Sequence, residues 1–223
     1  MINMKQNAVE SRDIKGKGAQ TTEKILDVAE KLFADFGYEA TTLRQIATEI
    51  GIQQPSLYKH FSSKDALYEA VLARAVQPLM NELEQRSLQE AQFSQVMSIP
   101  AKMLALLSTH PNGARLLQRE ISTCGSGMNP IAERWFRQLF ERSIQFMSTE
   151  SSGEKKSSEK DHQFRSQALL QILAMMNVSL GYFACAPFIA LLGEVNLLDA
   201  DMLEKQSNLF GQIFKLFLIN SEN

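Results

Sequence analysis

Cysteine, histidine and net charge are all scarce in this chain, and each scarcity closes off a class of function. Two cysteines, Cys124 and Cys185, among 223 residues make no disulfide framework. The three histidines, His60, His110 and His162, lie far apart in sequence, so no Cys/His cluster has the spacing of metal ligands. Neither an H-E-x-x-H zinc motif, nor a Gly-rich phosphate loop ending in Lys-Ser or Lys-Thr, nor a G-x-S-x-G nucleophile elbow occurs. No metal, no cofactor and no enzyme activity are expected. The first twenty residues lack the apolar run of a signal peptide, which together with the two thiols suits a reducing cytoplasm. A net charge of −2 excludes a protein that coats nucleic acid by bulk charge, but not one with a localised recognition surface. Alternating strand patterns and internal repeats are also missing. What remains, 44% hydrophobic and 22% charged residues, is the composition of an ordinary globular protein.

The apolar residues recur at helical spacing, so the chain reads as all-α. Residues 1–20 read as a flexible arm, because Gly16 and Gly18 interrupt any pattern there. The spacing of Ile25, Val28, Ala29, Leu32, Phe33 and Phe36 predicts a helix over 21–36, opened by Thr22 and closed by Gly37. Thr42 followed by Gln45 is a capping box, and it opens a short helix with Leu43, Ile46, Ala47 and Ile50 inside and Gly51 at its end. Pro55 suits the first turn of another short helix, 54–60, from which Leu57 and Phe61 point inward. Ser63 caps a long helix, 64–90, carrying Ala66, Leu67, Ala70, Val71 and Val76, with a kink expected at Pro78. Further helices are expected at 93–109, 113–122 and 130–147. A polar loop is expected at 148–160, then two strongly apolar helices at about 161–192 and 199–219.

Ala47, Gly51, Ile52 and Leu57 are what two short helices crossing steeply require: a small residue at the approach, a glycine at the bend and apolar residues on both sides. The second helix then keeps an outer face holding Gln53, Gln54, Ser56, Tyr58, Lys59 and His60, all able to hydrogen-bond. Gln pairs bidentately with adenine and Ser reads either base type. Tyr, Lys and His suit phosphates, which position a protein without reading sequence. As a plain alternative, Thr42 serves only as a helix cap and His60 only as a surface histidine.

The stretch from Thr41 to Leu67, T-T-L-R-Q-I-A-T-E-I-G-I-Q-Q-P-S-L-Y-K-H-F-S-S-K-D-A-L, resembles the DNA-binding domain of TetR-family transcriptional regulators. The resemblance covers about residues 21–71 and implies that Arg44 and Gln54 read bases. It further implies that Pro55 and Ser56 meet base edges or thymine methyls, and that Thr42, Tyr58, Lys59, His60 and Lys64 hold phosphates. Lys59 departs from the aromatic or histidine often found at its position in the family. Gln53 joins this set of candidate DNA contacts.

No charged side chain occurs between Arg165 and Glu194, a run of bilayer-spanning length. Gln167, Gln171, Asn177, Ser179 and Pro187 interrupt it, and its flanks carry no clear Lys/Arg excess. With the following helix, striped by Leu209, Phe210, Ile213, Phe214 and Phe217, it reads as a homodimer interface, and no membrane partner is expected. The family resemblance implies the same, since the last two helices of each subunit there form a four-helix bundle. Met103, Leu107, His110, Leu117, Trp135, Phe136, Phe140, Met175, Met176 and Phe183 are the candidate lining of a small-molecule site, with ordinary core packing as the alternative. Arg115, Arg119 and Glu120 lie nearby as polar anchors or solvated charges.

The organisation expected is an arm over 1–20, a helix-turn-helix head over 21–66, and a helical ligand-binding and dimerisation domain over 67–223. The function expected is a cytoplasmic, homodimeric repressor. It binds a near-palindromic operator in double-stranded DNA and is released by a mainly apolar small-molecule effector. The alternative is a DNA-binding protein without an effector, architectural or partnered with another protein.

Overall fold

The computed structural model describes residues 3–87, 99–123, 127–149, 158–193 and 195–219, with side chains over 18–85, 99, 101–123, 127–147, 162–193 and 195–215. Within these residues there are nine helices and no strand. They are α1 (Asn3–Ala40), α2 (Leu43–Ile50), α3 (Gln54–Tyr58), α4 (Lys64–Ser87), α5 (Ile99–Ser108), α6 (Pro111–Ser122), α7 (Pro130–Thr149), α8 (Ser158–Leu192) and α9 (Ala200–Ile219). The all-α expectation holds. Of the expected elements, 88–90 of the long helix, 93–98 of the next, 150–157 of the polar loop and the side chain of Phe217 lie outside the described residues.

The chain divides into two compact units, Met1–Val71 and Leu72–Asn223, with the division inside α4. In the first unit, α1 corrects the sequence reading. Its backbone is helical from Asn3, through the segment expected as a flexible arm, and Thr22 lies within the helix instead of capping it. Gly16 and Gly18 each cost about 1 kcal/mol against Ala in a helix. The residues from Met4 to Arg12 include good helix formers and no proline, so the pattern break is not a chain break. Gly37 does interrupt α1, at φ 82 and ψ 171, a combination open to glycine and little else. Ile25, Ala29 and Phe33 are buried as expected. Phe36, expected in the same stripe, is exposed, and Leu26, Glu30 and Ala34 are buried in its stead. The buried face continues by four-residue steps from Ile25 to Phe33 and reaches Gly37, which leaves Phe36 off it.

The capping box of α2 is complete. The Gln45 N–H donates to Thr42 Oγ1 at 3.2 Å, and the Thr42 N–H donates to Gln45 Oε1 at 2.8 Å. Leu43, Ile46 and Ala47 face the core, where α2 packs on α1 and α3. Gly51, at φ 78 and ψ 29, ends the helix, and the Ile52 N–H reaches back to the Ala47 carbonyl at 2.9 Å. Ser63 Oγ accepts the Ala66 N–H at 3.0 Å and so caps α4. Phe33, Tyr38 and Tyr68 form one aromatic cluster, with Phe33 edge-on to Tyr68 at 4.9 Å between centroids.

The second unit is built around α8, which packs against α5, α6, α7 and α9, while α5 also packs on α6 and α9. Ala168, Ile172, Met176, Ser179, Leu180, Phe183 and Ala186 recur along α8 at three- and four-residue steps and are all buried. Phe210 and Phe214 are the buried pair of α9; Leu209, expected in the same stripe, is half exposed. The stretch His162–Leu192 of α8 is long and apolar enough to cross a membrane, with mean hydropathy 1.7. The Tyr182 hydroxyl donates to the Leu197 carbonyl at 2.5 Å and ties the α8–α9 connection back to α8.

Candidate nucleic-acid interface

The short helices α2 and α3 place the candidate DNA contacts. Ile46, Ala47 and Leu57 are buried at their crossing, at most 2% exposed, which leaves the opposite faces to polar residues. Arg44 and Thr42 are exposed on α2, and Gln53, Pro55, Tyr58 and Lys59 are exposed on or beside α3. Gln54, Ser56, His60 and Lys64 are half-buried, so the outer face expected from the sequence is a graded one. Tyr58 is 48% exposed although it is aromatic and sits in the α3 core sequence, whereas its neighbour Leu57 is fully buried. Pro55 occupies the first turn of α3, and Gln53 precedes it at φ −80 and ψ 144 without a side-chain cap bond.

Among the described residues, the side chains of Arg44, Gln53, Gln54, Ser56, Tyr58 and Lys59 make no hydrogen bond or ion pair. These are donors and acceptors standing at one motif without internal partners. The remaining candidates are engaged. Thr42 Oγ1 and Gln45 complete the capping box. Lys64 Nζ lies 4.1 Å from the Tyr38 ring centroid and donates to the Glu39 carbonyl at 3.3 Å. His60 Nδ1 is 2.8 Å from Thr22 Oγ1 across 38 residues of sequence.

Two partnerships here had no sequence signal. Thr22 touches His60, and the Tyr38 hydroxyl donates to the Asp65 carboxylate. Both join α1 to residues far along the chain, and helical periodicity says nothing about pairs so far apart. Burial, then the bond to Asp65, then the negative charges of Asp65 and Glu39 push the Tyr38 hydroxyl up to about 12.

The candidate ligand-lining residues lie in the second unit. Leu107 on α5, Leu117 on α6, Phe136 on α7, and Met176 and Phe183 on α8 are buried. Met103, Trp135, Phe140 and Met175 are half-buried on those helices, and His110 is half-buried at the start of α6. Arg119 is exposed and Arg115 donates to Asn112 Oδ1 at 3.0 Å, whereas Glu120 is buried and accepts the Asn129 N–H at 3.4 Å. Trp135 Nε1 and Ser179 Oγ, buried polar atoms of this unit, have no hydrogen-bond partner among the described residues.

Residues 25–71 match the family of bacterial regulatory proteins called the tetR family. Over those residues the chain is similar to that family's DNA-binding domain. The matched residues hold all ten candidate DNA contacts, from Thr42 to Lys64. The HTH-type transcriptional repressor KstR2 of Rhodococcus jostii is 47% identical over 60 residues, 27% of this chain and 29% of KstR2. The HTH-type transcriptional activator FasR of Mycolicibacterium smegmatis is 44% identical over 62 residues, 28% of each chain. The negative transcriptional regulator IcaR of the biofilm operon icaADBC of Staphylococcus aureus is 49% identical over 47 residues, 21% of this chain and 25% of IcaR. The likeness thus spans less than a third of each of these relatives. Solved structures extend it to the whole TetR-family fold. The MbdR regulator of Azoarcus aligns with a TM-score of 0.61 at 21% identity, over 86% of this chain and 96% of MbdR. SmeT, the repressor of a Stenotrophomonas maltophilia multidrug efflux pump, aligns with a TM-score of 0.56 at 20% identity, over 86% of this chain and 87% of SmeT.

Proposed function

We propose that this chain is a sequence-specific DNA-binding repressor of transcription, acting in the cytoplasm as a homodimer and released by a mainly apolar small molecule. The observation that carries the DNA-binding reading is the set of uncommitted side chains at α2 and α3. Among the described residues, the side chains of Arg44, Gln53, Gln54, Ser56, Tyr58 and Lys59 make no internal bonds in a head matched by the tetR family. Arg44 and Gln54 read base edges, Pro55 and Ser56 contact edges or thymine methyls, and Thr42, Tyr58, Lys59, His60 and Lys64 hold phosphates. Two such helices enter successive major grooves of a near-palindromic site about one helical turn apart. Two of the three relatives named above are repressors by name, which supports that sign of control.

The homodimer reading is supported by the outer face of α8. Leu170, Leu173, Phe188, Leu191 and Leu192 are exposed, Leu191 to 85%, beside the exposed Leu209 of α9. A second copy covers such a face, and light scattering without detergent is then expected to give twice 25.1 kDa. The effector reading is supported by the Met, Leu and Phe residues of α5–α8 and by Trp135 Nε1 and Ser179 Oγ, which have no hydrogen-bond partner among the described residues. A buried donor left unmade costs about 1–3 kcal/mol, which an acceptor on an otherwise apolar ligand offsets. A ligand that favours one arrangement of the dimer shifts it away from DNA with a coupling of about 1–3 kcal/mol.

The deciding experiment selects duplexes from a random library with the purified full chain. Enrichment of a near-palindromic sequence, bound at least a thousandfold more tightly than random duplex, is the expected result. Equal binding to all sequences leaves no role for Arg44 and Gln54 in reading bases.

A further inference from the structure

Thr22 Oγ1 stands between two partners. It lies 3.0 Å from the Gly18 carbonyl, one turn back in α1, and 2.8 Å from His60 Nδ1. A hydroxyl has one hydrogen and a carbonyl only accepts, so the Gly18 contact exists as a bond only when Thr22 donates to it. The Thr22 oxygen then has lone pairs alone for His60, and the second bond exists only when Nδ1 carries a hydrogen. Both contacts are satisfied together in one arrangement: Nδ1–H to Oγ1, and Oγ1–H to the Gly18 carbonyl. Neutral imidazole carries one hydrogen, so this arrangement leaves Nε2 bare, an acceptor. Phosphate oxygens also accept and cannot pair with it.

We propose that Thr22 is a positioning residue that fixes the His60 tautomer, so that the contact between His60 and the DNA backbone forms only with uptake of a proton at Nε2. The protonated ring keeps its bond to Thr22 through Nδ1–H and presents Nε2–H to a phosphate oxygen, with its positive charge beside the negative one. The proton comes from solvent and leaves when the DNA leaves. The α1 positions a turn either side of Thr22 are Gly18, Ala19, Ile25 and Leu26, none of them ionisable. The charged groups nearest in sequence are the exposed Glu23, Lys24 and Lys59, then the exposed Asp27 and, at the start of α4, Lys64 and Asp65, which are turned to Tyr38 and Glu39. Linkage sets the sign. A proton bound with the DNA makes affinity highest at low pH and lets it fall as pH rises.

The inference rests on the DNA-binding reading, and two measurements on the full chain separate the two. Long-range ¹H–¹⁵N correlation of the free protein at pH 8 reads the tautomer directly. Nδ1 protonated and Nε2 bare is the expected result, and the reverse overturns the proposal. Affinity for a 30-base-pair duplex chosen by selection is then measured between pH 5.5 and 8.5 at constant salt. The wild type is expected to lose up to tenfold per pH unit for each head that binds. Thr22→Val, of matching shape without the hydroxyl, is expected to lose at least half of that slope, because neutral His60 is then free to present Nε2–H. Thr22→Ser is expected to restore it, and His60→Gln to abolish it. A wild-type slope of zero, or equal slopes in wild type and Thr22→Val, overturns the proposal while the DNA reading stands. Binding to no duplex at any pH overturns both.

Discussion

The Tyr38 hydroxyl donates to the Asp65 carboxylate, and so joins the last turn of α1 to the first turn of α4. The same Tyr38 ring lies under the Lys64 ammonium and against Tyr68, so one aromatic residue meets three residues of α4. Its hydroxyl is pushed up to about 12 by burial first and Asp65 second. An acid held protonated in the folded state stabilises it fully below the unfolded value near 10, and loses that stabilisation as pH rises toward 12. Tyr38→Phe is expected to lose about 1 kcal/mol at pH 7. Between pH 10 and 12 the gap from wild type narrows, because the variant has no phenol to ionise. Urea titrations followed by circular dichroism at both pH values check this. A gap that widens with pH removes the Tyr38–Asp65 bond from the account.

Gly51 is expected to be replaceable at a purely conformational cost. It sits at φ 78, and a Cβ there would meet nothing within 4 Å. Gly51→Ala then destabilises by about 1–2 kcal/mol, and Gly51→Asn by less, since Asn tolerates the left-handed region. Urea unfolding of the two variants gives the order directly. Equal losses would mean that the glycine serves something other than the turn between α2 and α3.

The motif was legible in the sequence because each of its signals is local. Thr42 and Gln45 are three residues apart, Gly51 follows Ile50 at once, and Pro55 stands in the first turn of its helix. A local signal needs no knowledge of the rest of the fold. The N-terminal reach of α1 was misread because Gly16 and Gly18 weaken a helix without ending it, as proline would. Phe36 was placed inside because the stripe was counted by residue type, while Gly37 ends the regular helix beside it. The links from Thr22 to His60 and from Tyr38 to Asp65 cross 38 and 27 residues, and no pattern in one chain announces such pairs. Likewise, Ser179 read as a polar interruption of an apolar run, and its place on the buried face of α8 is a matter of packing.

Gln54→Ala is expected to weaken binding to the selected duplex by about 1–3 kcal/mol and to leave random duplex nearly unaffected. Lys59→Ala is expected to weaken both alike and to flatten the dependence of log affinity on log salt by about one unit. The contrast follows from the roles proposed for the half-buried Gln54 amide, at a base edge, and the exposed Lys59 ammonium, at the DNA backbone. Fluorescence anisotropy at four salt concentrations supplies both numbers. Equal losses for Gln54→Ala on the two duplexes would take that residue out of base reading.

Ser179→Ala is expected to stabilise the free protein by about 1 kcal/mol. The Ser179 side chain is fully buried on α8 and its hydroxyl has no partner among the described residues. Its removal relieves an unmet hydrogen bond and improves helix propensity, and the cavity it leaves is one oxygen in size. A loss of stability in the urea midpoint would show that the hydroxyl is bonded in solution.

Trp135 offers the test of the effector. It is the only tryptophan, so its emission reports on α7 and its surroundings without a label. Its ring is half-buried and its N–H is shielded from water with no acceptor, although α7 packs on α8. The other candidate lining residues are Met, Leu and Phe apart from His110, and an unpaired charge placed among such side chains costs several kcal/mol. A ligand that fits is therefore mainly apolar and carries a hydrogen-bond acceptor for the indole. Titration with a panel of such compounds is expected to shift or quench the Trp135 emission, with operator affinity falling over the same concentration range. Trp135→Phe keeps an aromatic ring but lacks the donor, and is expected to weaken that ligand about three- to tenfold, the worth of one hydrogen bond of roughly 0.5–1.5 kcal/mol. Charged ligands reach this region only if basic side chains converge on it. Arg115 is held by Asn112 and Arg119 is exposed, so neither is spare inside. A polyanionic effector whose action is abolished by Arg115→Ala or Arg119→Ala would overturn the apolar reading.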